Sequence, residues 1–204
     1  MNLLDRAVVG LLPLVPKPIV HQFSKRYIAG DDLAAAVATV REFNARKMMA
    51  TLDVLGEFIT RPEEAEATAR AYHEAVAAIR ANNLDSNISI KLTSFGLLLD
   101  KELCFRLVDG LVAAAGAVDM FVRLDMEDSP CTTDTLNVYR RLRERHQNVG
   151  IVLQAYMRRS MDDIRALLPL KPNVRVCKGI YVEPRAVAYK DPYTINQNFA
   201  LMVE

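Results

Sequence analysis

The chain has 204 residues, 51% of them hydrophobic and 25% charged, and 26 Lys and Arg stand against 25 Asp and Glu for a net charge of +1. That length holds one domain with a sizeable core, and the even charge balance leaves no basic field of the kind nucleic-acid binding draws on. Three cysteines, Cys104, Cys131 and Cys177, lie in different segments with no C-x-x-C spacing, so neither a disulfide framework nor a zinc site is expected, and a reducing, cytoplasmic compartment fits best.

Residues 1–30 read as an N-terminal arm. Its stretch AVVGLLPLVPKPIV is apolar but broken by three prolines and is too short to span a bilayer, which suits packing on the domain or peripheral contact with the inner membrane. Residues 31–204 read as one domain. Asp31 or Asp32 can cap a helix over LAAAVATVREFNARK. Short apolar strands then alternate with helices: MATLD ending on Asp53, a helix over 62–82, ISIK ending on Lys91, a helix over 101–115, and FVRLD ending on Asp125. A helix over 133–146, GIVLQ ending on Gln154, a helix over 161–168, VRVCK ending on Lys178 and the helical TINQNFALMVE complete the series.

The strand ends are spaced by 38, 34, 29 and 24 residues, about the length of one βα unit. This predicts an α/β chain of the (β/α)8 TIM-like barrel type, with about five of the eight units present. In that fold, polar residues at the carboxyl ends of the strands form the active face. A doubly wound sheet alternates in the same way, but DVLGEF after the first strand offers one glycine where a G-x-G-x-x-G turn would be needed.

Several of these endpoints can carry chemistry. Lys91 can bind a carboxylate or, if desolvated, form a Schiff base, although a rim lysine is as often simply solvated. Asp125 has Arg123 on its strand face and Glu127 and Asp128 after it. One of these carboxylates is expected to point into the site, with the others solvated or capping the helix after Pro130, and no metal centre is expected. The Gln154 amide can donate and accept at once, as recognition of a heterocycle requires. Arg158 and Arg159 are expected on the exposed start of the next helix. Alternation puts Arg175 and Cys177 on one strand face and Val176 and Lys178 on the other. Gly179 permits close approach of the backbone to a ligand, and Cys177 reads as a small buried hydrophobe rather than a nucleophile. These residues by themselves define a barrel enzyme for a small anionic substrate. A Schiff-base aldolase using Lys91 or Lys178, and a non-catalytic fragment that pairs with a second copy through its open edge, are the rival readings.

Together, the strings TLDVLGEF, ISIKLTSFG, VRLDMEDSP, IVLQAYMRRS and VRVCKGIYVEP resemble the proline dehydrogenase family in order, spacing and wording. The resemblance implies a distorted (β/α)8 barrel that binds FAD, oxidises L-proline to Δ1-pyrroline-5-carboxylate and passes electrons to a quinone. It implies that Lys91 pairs with the proline carboxylate, Asp125 orients that lysine, and Tyr181 closes over flavin and proline. Gln154 would meet the flavin pyrimidine, Arg175 would lie near the flavin N5, and Cys177, Lys178 and Gly179 would lie along the cofactor. The family's arginine pair and its last contacts to FAD have no counterpart in these 204 residues, so this chain alone is expected to bind flavin weakly or not at all.

Overall fold

The structure is a computed structural model that describes residue 30, residues 32–56 and residues 59–204. The expected arm, Gly30 apart, lies outside the described residues. The chain runs through α1 (Leu33–Ala45), β1 (Ala50–Leu52), α2 (Pro62–Ala81), β2 (Ser86–Ile90), α3 (Lys101–Gly116), β3 (Val122–Leu124), α4 (Ser129–Arg143), β4 (Val149–Gln154), α5 (Ser160–Leu167), β5 (Val174–Cys177) and α6 (Pro192–Val203). Short 3₁₀ turns follow β2 at Leu92–Phe95 and α5 at Leu168–Leu170.

The helices begin where side chains can take up their free amides. Asp32 accepts from Ala35 N at 2.8 Å, Asp100 accepts from Glu102 N and Leu103 N at 2.9 and 3.0 Å, and Asp191 accepts from Thr194 N at 2.7 Å. At α2, Pro62 opens the helix and Glu64 Oε2 accepts from the Thr60 and Arg61 amides at 2.9 and 3.1 Å. One boundary differs from expectation. α4 begins at Ser129, four residues before the predicted start, because Pro130 falls in the first turn, where a missing amide hydrogen costs nothing.

All five strands are parallel and ordered β1-β2-β3-β4-β5. A doubly wound sheet must reverse its order at a switch point; this one does not. With right-handed crossovers, an order that never reverses carries every connecting helix to the same face. The sheet is therefore the curled wall of a half-barrel with a helical outer layer. The helix-facing side chains are apolar and buried: Ile88 and Ile90 of β2, Val122 and Leu124 of β3, and Ile151 and Leu153 of β4. They pack against Tyr72, Val76 and Ile79 of α2, Val108, Leu111 and Val112 of α3, and Leu136, Tyr139 and Leu142 of α4.

The opposite, concave face is polar. Register places Thr51 beside Asn87, Ser89 beside Arg123, and Gln154 beside Cys177. The Thr51 hydroxyl donates to Asn87 Oδ1 at 2.7 Å across the strands. Low in the wall, the Arg123 guanidinium donates to the Asn173 carbonyl and Oδ1 at 3.0 and 2.7 Å. That cluster sits against Gly150, where a Cβ would lie 2.4 Å from Arg123 Nη1 and 2.7 Å from the Asn173 carbonyl oxygen. The two faces thus predict different responses to substitution. Leu124→Ala should lower unfolding free energy by about 2–5 kcal/mol in urea denaturation, the range for emptying a fully buried leucine site.

Candidate active site

The polar groups converge at the carboxyl ends of the strands. Each strand contributes one: Asp53 follows β1, Lys91 follows β2, Asp125 follows β3, Gln154 ends β4, and Arg175 lies within β5. Lys91 Nζ stands 2.6 Å from Asp53 Oδ2, in an ion pair whose side chains are 17% and 28% exposed. Asp125 Oδ1 accepts from Ser89 Oγ at 2.6 Å and from Arg175 Nη2 at 2.5 Å. Around the curve the charges therefore alternate, acid, base, acid, amide, base. The carboxylate that grips Lys91 is Asp53, to which the sequence pattern assigns no role; Asp125 is engaged by Ser89 and Arg175.

Gln154 is buried, and its amide nitrogen donates to the Met126 and Glu127 carbonyls at 3.1 and 2.7 Å. With both N–H groups spent on the chain after β3, what it can offer a ligand is its carbonyl oxygen. Glu127 corrects an expectation: it is 1% exposed rather than solvated, and it accepts from the Thr93 amide at 3.0 Å and from the Thr93 hydroxyl. This ties the turn after Lys91 to the loop after Asp125. Asp128 is the N-cap residue of α4, as one of the expected options had it, but makes no side-chain cap bond.

The segment after β5 is held at two points. At Gly179 φ is +105°, and a Cβ there would fall 2.2 Å from the Tyr156 ring, so the close approach that requires glycine is to a neighbouring side chain of the protein. Farther along, the nearly buried Glu183 supplies the cap α4 lacks, accepting from Ser129 N at 2.6 Å and Ser129 Oγ at 2.7 Å. Between them Tyr181 is half-buried, while Ile180 and Val182 are exposed, as is Lys178 just before Gly179. Cys177 is half-buried, and burial raises its thiol above the ordinary range, which suits packing rather than nucleophilic work. Arg159 pairs with Asp163 of α5 at 2.7 Å, and Arg158 stacks over Tyr189 with its guanidinium carbon 4.5 Å from the ring centroid. Neither reaches the strand-end row.

A one-sided parallel sheet whose strand ends carry an unbroken polar row is a half-barrel wall of the α/β class, and its carboxyl face is the candidate site. The particular family follows from comparison. The proline dehydrogenase family model matches residues 36–183, and the chain belongs to that family. It is 37% identical over 181 residues to proline dehydrogenase 1 of Bacillus subtilis, covering 89% of this chain and 60% of that protein. It is 32% identical over 207 residues to the Deinococcus radiodurans proline dehydrogenase, covering 95% of this chain and 67% of that one. The chain thus spans about three fifths of the length of the first of these relatives. Its fold matches the crystal structure of proline utilization A from Bdellovibrio bacteriovorus inactivated by N-propargylglycine, with a TM-score of 0.80 at 21% identity over 90% of this chain and 24% of that one. Among the described residues no helix is long and apolar enough to cross a membrane, and no group of acidic, His and Cys side chains is arranged to hold a metal ion.

The strand-end row is legible in the sequence. Glu183, Tyr72 and Ser89 are not, since nothing near them in sequence signals contacts made 54, 19 and 36 residues away. Glu183→Ala would leave the Ser129 amide and hydroxyl without their acceptors, at a cost of about 1–3 kcal/mol. We expect the Ser129 amide to exchange hydrogen faster and the segment after β5 to be cut sooner by protease, while the β3 and β4 amides stay protected.

Proposed function

We propose that this protein oxidises L-proline to Δ1-pyrroline-5-carboxylate with FAD, in a closed (β/α)8 barrel whose first five units are described above, and that a quinone takes the electrons. The observation that carries this reading is the alternating row of charge at the strand ends. Proline is a zwitterion, and the row offers it an ammonium, Lys91, between two carboxylates, Asp53 and Asp125. Lys91 would take the substrate carboxylate. Asp125 would face the substrate from the neighbouring strand, and Tyr181 would close over it.

The residues present also fit the cofactor. The Gln154 carbonyl oxygen is an acceptor suited to the imide N–H of a flavin pyrimidine, with its orientation already fixed by the two bonds of the amide nitrogen. Arg175 is half-exposed and can turn a guanidinium toward the electron-rich edge of the ring, beside Cys177, Lys178 and Gly179. When bound, FAD accepts the hydride that leaves the proline ring; the accompanying proton leaves the amine. The chain's own work is to grip the carboxylate, orient the ring and hold the charges in place. Peripheral contact of a cytoplasmic protein with the inner membrane through residues 1–30 would bring it to its quinone.

The Schiff-base alternative fares worse. Lys91 Nζ is engaged at 2.6 Å by the Asp53 carboxylate, and Lys178 is exposed outside the strand-end row, so neither amine is presented in a desolvated setting to a carbonyl substrate.

Anaerobic addition of L-proline to the flavin-loaded protein carrying the complete barrel should bleach its visible absorbance. A flavin that dithionite reduces but proline leaves unchanged would refute the reading. Lys91→Met should raise KM for proline by about tenfold to a hundredfold, the value of a charge-assisted hydrogen bond, without lowering flavin content.

A further inference from the structure

Tyr72 belongs to α2, in the outer layer, yet its hydroxyl crosses to the polar side of the wall. The ring is buried and tilts against Phe95 with centroids 5.4 Å apart. Its phenolic oxygen lies 2.7 Å from Asp53 Oδ1 and 2.8 Å from the Ser89 carbonyl, and it accepts from the Val54 amide at 3.1 Å. A phenol has one proton for those two acceptors, and the ionised carboxylate is the stronger. Asp53 Oδ2, the other oxygen of the same carboxylate, holds Lys91 Nζ at 2.6 Å. Burial first, and then the Asp53 charge, push the phenol well above its ordinary range, so it remains a donor at any working pH.

We infer that Tyr72 is a positioning residue: its hydroxyl fixes one oxygen of Asp53 so that the other holds the Lys91 ammonium in place. That Lys91 then meets a substrate carboxylate rests on the function proposed above; the link from Tyr72 to Lys91 does not. A tyrosine that merely packed would owe its burial to the ring alone, and Phe would replace it without consequence at Lys91. Three hydrogen-bond contacts converging on its oxygen at the two strand ends argue otherwise.

The test is a double-mutant cycle of Tyr72→Phe and Asp53→Asn, with trace acetylation by acetic anhydride at Lys91 quantified by mass spectrometry, which needs neither flavin nor turnover. Tyr72→Phe should acetylate Lys91 about threefold faster than wild type, the size of effect expected when a partly exposed ion pair that shields the amine is loosened. Asp53→Asn should raise the rate at least as much, and adding Tyr72→Phe to it should change nothing further. Wild-type labelling in Tyr72→Phe, or effects that multiply in the double variant, would overturn the inference. Should Tyr72→Phe fail to fold, the hydroxyl proton of Tyr72 decides: a slowly exchanging, downfield NMR resonance that moves upfield in Asp53→Asn supports the link, and one that stays put refutes it. In the flavin-loaded protein the same cycle, read as KM for L-proline with kcat little changed, should show the same non-additivity. If wild type does not oxidise proline the proposed function fails, while the acetylation result still stands or falls by itself.

Discussion

Handedness of the crossovers is the constraint from which the rest of the molecule follows. Right-handed βα units laid down in one direction put every helix on one side of the sheet, so each strand must be apolar on that side and is released from being apolar on the other. Ile88 and Ile90 meet the helices while Asn87, Ser89 and the Lys91 that follows them face away. Alternation along a strand thus converts a packing rule into a row of functional groups, and the curl of the wall turns them toward a common space.

That row is electrostatically economical. Lys91 and Arg175 are each matched to a carboxylate at 2.5–2.6 Å, so no strand end in it carries an isolated charge in a half-buried setting. Pairs of this kind stay in place because their second contacts are also filled: Ser89 on Asp125 and Tyr72 on Asp53. A zwitterion entering such a row would exchange one set of opposite charges for another.

Much of this is readable from the chain itself. Asp53, Lys91, Asp125, Gln154 and Lys178 stand out because a polar residue that closes a short apolar run is seldom placed there by packing. Helix extents are readable from their own periodicity and end signals, apart from α4, where Pro130 suggests a later start than the first-turn place it occupies. Partner choice is a different matter. That Lys91 pairs with Asp53, that Glu127 is sealed under Thr93, and that Gly179 yields to Tyr156 are facts of distance between segments far apart in the chain, and sequence spacing carries no information about which of several nearby carboxylates wins. Strand order is only partly legible, since singly and doubly wound sheets share the same alternation and the one sequence signal between them is the missing Gly-rich turn after the first strand.

The cap that Glu183 places on α4 joins residues 54 apart. In the order of folding, this means that α4 begins life with an open amino end, since its own N-cap residue Asp128 makes no side-chain cap bond. Its first turn gains full strength after β4 and β5 have paired and the following segment has swung back across the sheet. Contacts of such long sequence separation form late and slowly. The helix is thereby made a witness to the completion of the wall, and the segment bearing Tyr181 settles in the same event that finishes the helix.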